Sequence, residues 1–179
     1  MREIILFLPA NYYLCRMKKN ICFGIALLVF LFACRRPEKF PIIPEIKFIS
    51  FEEFNDTEGL LVFYFQDGDG DIGLNPWDTI PPFEYNFFCD YYEKRYGIFV
   101  KIDSIVDYRG ETIAFNHNGR IPILSRLPEE SISGEIYYTI SPWYYDFFSP
   151  YNDTIQLKFY IVDRKLHKSN VEEIVIIRK

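Results

Sequence analysis

The chain has 179 residues, 49% of them hydrophobic and 25% charged, which suits one folding domain and is too little for two ordinary ones. Its formal charge of -5 argues against a nucleic-acid partner, since phosphate contacts need clustered Lys and Arg, and 2 histidines exclude a His-rich metal centre. The unusual figure is the aromatic share of 19%, with 18 Phe, 14 Tyr and 2 Trp against 2 Met.

The first segment reads as an address. Met17-Lys18-Lys19 precedes the apolar run Ile21 to Ala33, and Cys34 follows. A basic start, about 7–15 apolar residues and a small residue form the secretory layout, and the run falls short of the roughly 20 residues of a spanning helix. Leu31-Phe32-Ala33-Cys34 resembles the bacterial lipobox, with Phe32 bulkier than usual at its position. That resemblance implies cleavage before Cys34, lipid on its thiol and new amino terminus, and an anchor far stronger than a single acyl chain supplies. Pro9 and the polar Asn11-Tyr12-Tyr13 interrupt residues 1–16, so Met17 is the expected start; a longer signal with the same processing site is the alternative.

Expected boundaries follow: a signal peptide over 1–33, a lipidated Pro-rich tether over 34–44, and a domain over 45–179. Removing 1–33 leaves 146 residues with 16 Lys and Arg against 24 Asp and Glu, a net charge of -8. Cys89 is then the one cysteine not discarded or lipidated, so the core must hold the exported domain together without an internal disulfide.

After the tether, β-rich runs recur between turn signals: 46–51, 60–65, 84–92, 97–105, 120–124, 135–140, 154–163 and 171–177. In the seventh run Ile155, Leu157, Phe159 and Ile161 share one face, while Gln156, Lys158 and Tyr160 share the other, as in a half-buried antiparallel strand. No long window carries a helical period. The pattern predicts an all-β fold, an immunoglobulin-like antiparallel β-sandwich of about 7–9 strands, with a closed barrel as competitor.

The strand LLVFYF runs into Gln66-Asp67-Gly68-Asp69-Gly70-Asp71-Ile72-Gly73. Three carboxylates spaced by glycines repel one another unless something positive sits among them, and calcium takes 6–8 oxygens. Counting Asp67 as position 1 of a helix–loop–helix calcium loop puts Asp69 and Asp71 at 3 and 5, the Gly73 carbonyl at 7, Asn75 at 9 and Asp78 at 12. The match fails at position 6, where Ile72 replaces the turn glycine, and in the flanking strands. Two readings stand: a calcium site of Asp67, Asp69, Asp71, Gly73 and Asp78 borne on a sandwich loop, or Asp-Gly turns without a metal.

The segment LVFYFQDGDGDIGL, with the late segment LKFYIVDRKLHKSNVEEIVI, resembles a group of envelope lipoproteins from Bacteroidota. The resemblance covers both ends of the exported chain and implies an immunoglobulin-like sandwich in the cell envelope, with no particular activity. The closing turn concentrates Asp163, Arg164, His167, Ser169 and Asn170. Asp163 is either a further ligand for the aspartate loop or part of a hairpin that satisfies its own backbone. His167 and His117 read as surface loop residues.

Trp143, Tyr144 and Tyr145 lie in the densest aromatic stretch and suit either a glycan or protein contact, or core packing. Asp78-Thr79-Ile80, Asp103-Ser104-Ile105 and Asp153-Thr154-Ile155 resemble the O-glycosylation acceptor of exported Bacteroidota proteins. Common hydrolase and phosphate-loop signatures are missing, and the adjacent Glu172-Glu173 pair of a strand points to opposite faces. The expected protein is an outer-membrane-anchored, non-catalytic binding or structural module. It would meet a glycan or an envelope protein and no nucleic acid. The alternative is an envelope hydrolase whose carboxylates converge only in the fold.

Overall fold

The computed structural model describes residues 40–55, 57–106, 109–124, 130–142, 149–151 and 153–178. The expected signal segment, Cys34 and the aromatic residues Trp143, Tyr144 and Tyr145 lie outside them. Nine strands carry the described residues: β1 (Glu45–Glu53), β2 (Gly59–Asp67), β3 (Phe87–Arg95), β4 (Ile98–Ile102), β5 (Ser104–Val106), β6 (Thr112–Ala114), β7 (Ile132–Ile140), β8 (Thr154–Ile161) and β9 (Glu172–Ile177). All strand pairs are antiparallel.

One sheet has the order β1-β2-β7 and the other β4-β3-β8-β9, with β5-β6 as a separate hairpin. Neighbours β2 and β3 in the chain thus sit in different sheets, and β7 returns to pair with β2. This is the Greek-key partition of an immunoglobulin-like sandwich. Period-two burial builds the interior. Leu61, Phe63 and Phe65 of β2 face Phe87, Cys89 and Tyr91 of β3 and Ile155, Leu157, Phe159 and Ile161 of β8. The rings of Phe63, Phe87 and Phe159 meet at 5.4–6.2 Å between centroids, so part of the aromatic excess is core filling.

Most expected strands stand within a few residues of their observed bounds, and the departures have local causes. The run 97–105 divides at Asp103, whose carbonyl accepts the Phe115 N–H at 2.9 Å; β5 then leaves the sheet to pair with β6, which the composition of 112–114 did not announce. Residues 120–124 form no named strand. Instead, Phe115 to Ile121 run along β3, with Phe115, His117, Gly119 and Ile121 facing inward. The His117 and Gly119 N–H groups donate to the carbonyls of Cys89 and Phe87.

His117 is therefore not a surface loop residue. It packs edge-on against Tyr91 and Phe115, and burial pushes its imidazole down to about 4, keeping it neutral. The Asn116 and Asn118 side chains do the polar work of this stretch: Asn118 Oδ1 accepts the Cys89 N–H, and Asn116 Oδ1 accepts the Asn118 N–H.

Two further asparagines replace missing ladder bonds. The buried Asn86 amide holds both backbone groups of Ile121, accepting its N–H at 2.7 Å and donating to its carbonyl at 3.1 Å. Asn170 does the same for Ile46 on the outer edge of β1, at 2.8 and 2.9 Å. Such side chains satisfy polar backbone that a regular strand partner would otherwise cover.

Candidate functional site

The alternation that fills the core continues past its last apolar residue. In β2 the inward series Leu61, Phe63, Phe65 ends on Asp67, which is wholly buried. In β8 the inward series Ile155 to Ile161 is followed in phase by Asp163, also buried. Strands from opposite sheets thus deliver carboxylates to the same end of the sandwich, where the loop after β2 and the turn after β8 meet.

The loop is pinned on several sides. Ile72 sits in the core, and its N–H donates to Asp67 Oδ2 at 3.2 Å. The calcium-loop spacing failed at this position for that reason: a core anchor takes the place of a turn glycine. The Gly68 N–H donates to the Pro41 carbonyl at 2.7 Å, so the segment leading into β1 already lies against the loop at Phe40 and Pro41. Gly70 and Gly73 have φ of 65° and 126°, and a Cβ at either would overlap the backbone of Glu130 or Ile123. Leu74 closes the loop by donating to the Ile121 carbonyl.

Within this frame one carboxylate oxygen each from Asp67, Asp69 and Asp71 lie within 4.8 Å of one another. The Oδ1 atoms of all three are buried and accept no hydrogen bond from the described residues. Burial, with the neighbouring Asp69 and Asp71 charges, pushes the Asp67 carboxyl up to about 6 against the opposing Ile72 hydrogen bond. Asp71 is raised by burial and by Asp163 and Asp69. Burial also pushes Asp69 upward, but the Lys165 hydrogen bond and charge outweigh it and hold Asp69 below the usual carboxylate range. Lys165 belongs to the turn after β8; its ammonium pairs with Asp69 Oδ2 and stands 3.6 Å from Asp71 Oδ2.

The remaining residues of the expected site are placed differently. Asp163 lies close enough to Asp71 to act on its charge, but its oxygens are engaged by His167: Oδ1 accepts the His167 N–H, and Oδ2 lies 2.8 Å from Nδ1. Asp78 accepts the Asn75 N–H at 2.8 Å and pairs with Arg164 at 2.7 Å, apart from the group of three. The Arg164 guanidinium and the Asn75 contact hold Asp78 below its ordinary range. Gly73 offers its carbonyl to Arg164 at 3.5 Å. Ser169 and Asn170 serve backbone, Ser169 by accepting the Ile161 N–H. Trp143, Tyr144 and Tyr145 are outside the described residues.

Lys165 was not singled out by sequence, although it is a cation in the turn facing three aspartates. Arg120 was missed as well. Its guanidinium donates to the carbonyls of Asn75, Asp78, Phe83 and Glu84, and so shapes the loop that follows the aspartates. No family model, curated protein or solved structure matches the chain.

Proposed function

We propose that this chain is a lipid-anchored envelope protein, a non-catalytic binding or structural module whose aspartate loop holds a divalent cation, calcium. The observation that carries the cation is the set of three buried, unpartnered Oδ1 atoms on Asp67, Asp69 and Asp71, with Asp67 wholly buried. Buried carboxylate oxygens without donors are costly, and among the described residues Lys165 brings the one ammonium that meets this group of three carboxylates. Calcium offers two charges and accepts irregular all-oxygen shells completed by water. A cation there would tie the loop after β2 more firmly to the end of the sandwich where the chain leads into β1.

The anchor rests on the resemblance of Leu31 to Cys34 to a lipobox. The ligand class, a glycan or another envelope protein, rests on the aromatic stretch that contains Trp143, Tyr144 and Tyr145. Two measurements test the reading. Palmitate labelling should be lost in Cys34→Ala, and unchanged labelling would refute the anchor. Calcium at ten times its Kd should stabilise the domain by about 1.4 kcal/mol, raising Tm by about 3–5 °C, and Asp69→Ala should lose the effect. An unchanged Tm at millimolar calcium would remove the metal.

A further inference from the structure

The oxygens that Lys165 does not touch are those left without partners. Its ammonium meets the Oδ2 atoms of Asp69 and Asp71, while the Oδ1 atoms of those residues and of Asp67 accept nothing. The Lys165 side chain is 56% exposed, so it reaches the carboxylates from the solvent side and can swing away without opening the core. The Asp69 side chain, at 12%, cannot follow it. The turn's other basic residues are committed elsewhere: Arg164 pairs with Asp78, and the Lys168 ammonium lies over the Tyr160 ring, 3.7 Å from its centroid.

From this arrangement we infer that Lys165 is a built-in competitor of the cation: its ammonium holds Asp69 and Asp71 when the metal is absent and is displaced when the metal binds. The inference rests on the cation reading above. Coordination chemistry supplies the reason. One oxygen from each of three aspartates gives three ligands, and calcium takes six to eight, so a full shell recruits the Oδ2 atoms that Lys165 occupies or water in their place. An ammonium beside them also opposes the incoming charge directly. The competition sets a moderate affinity and releases the Lys165 side chain upon binding, while Arg164 and His167 keep the turn between β8 and β9 in place. Metal occupancy is thereby reported at a surface position, by a side chain that is tied down in one state and free in the other.

The test compares calcium titrations of the wild-type domain and Lys165→Met, which keeps the apolar stem and removes the charge, with Lys165→Arg as the charge-retaining control. Lys165→Met should bind calcium roughly five- to tenfold more tightly, and Lys165→Arg should stay close to wild type. In parallel, acylation of wild-type Lys165 by an amine-reactive ester, followed by mass spectrometry, should speed up severalfold on adding calcium as the ammonium is released. Wild-type binding with no gain in Lys165→Met and no change in acylation would overturn the competition and leave the cation reading standing. Binding by Lys165→Met alone would support the competition but make Lys165 the resident cation, overturning calcium in the natural chain. No binding by any of the three proteins would overturn both.

Discussion

Replacing Asp67 by Asn should stabilise the protein when no divalent cation is present. Asp67 is wholly buried, and its carboxyl is raised from 3.8 to about 6, chiefly by burial and then by its acidic neighbours. A proton held more tightly in the folded state contributes stability below about pH 4, and that contribution is lost as pH rises through about 6. At pH 7 the ionised group therefore costs the folded state about 3 kcal/mol relative to a neutral one, from a shift of roughly two units at 1.36 kcal/mol each. Asparagine keeps an oxygen to accept the Ile72 N–H, now at 3.2 Å, and gains an N–H to donate toward Asp69. Urea denaturation in a chelator at pH 4, 5, 6 and 7 provides the assay. The advantage of Asp67→Asn should be near zero at pH 4 and grow to about 3 kcal/mol at pH 7, or about 6–10 °C in Tm. A variant less stable than wild type at pH 7, or an advantage independent of pH, would refute the electrostatic account of this loop.

His117→Leu tests the opposite sign: burial lowers this imidazole from 6.5 to about 4, so wild-type stability should fall by about 3 kcal/mol as pH drops through that interval, and the variant should lose this component in pH-resolved urea denaturation. Asn86→Ala strands both backbone groups of Ile121 in the interior and should cost about 2–4 kcal/mol by urea denaturation. Asn170→Ala leaves the Ile46 N–H and C=O unpaired on the β1 edge; a loss of about 1–2 kcal/mol, with faster amide exchange at Ile46, is expected. Phe63→Ala empties the centre of the aromatic cluster and should cost about 3–5 kcal/mol in the same assay.

The fold was legible because period-two alternation is strong in the central strands. Ile155, Leu157, Phe159 and Ile161 are fully buried on the face their spacing predicts. The same alternation, carried one step further, would have placed Asp67 and Asp163 inward at one end of the sandwich, a signal that their turn chemistry concealed. Local pattern could not show that Asp78 turns to Arg164, because that choice depends on how the two loops meet across the sheets. The hold of His167 on both oxygens of Asp163 is instead local to one turn and matches the hairpin reading of that residue. Phe115 to Ile121 hid for another reason. Asparagine and glycine gave the stretch the composition of a loop, while side chains such as Asn118 replaced the regular ladder that marks a strand.

Calcium titration calorimetry on the chelator-treated domain, with Asp69→Ala beside it, tests the central claim most directly. The proposed cation site predicts one calcium per chain with a Kd between about 10 µM and 1 mM, from the weak edge of sensor sites to the extracellular ones, and no binding in Asp69→Ala. Absence of a saturable heat at about 5 mM calcium, or equal binding by Asp69→Ala, would contradict it.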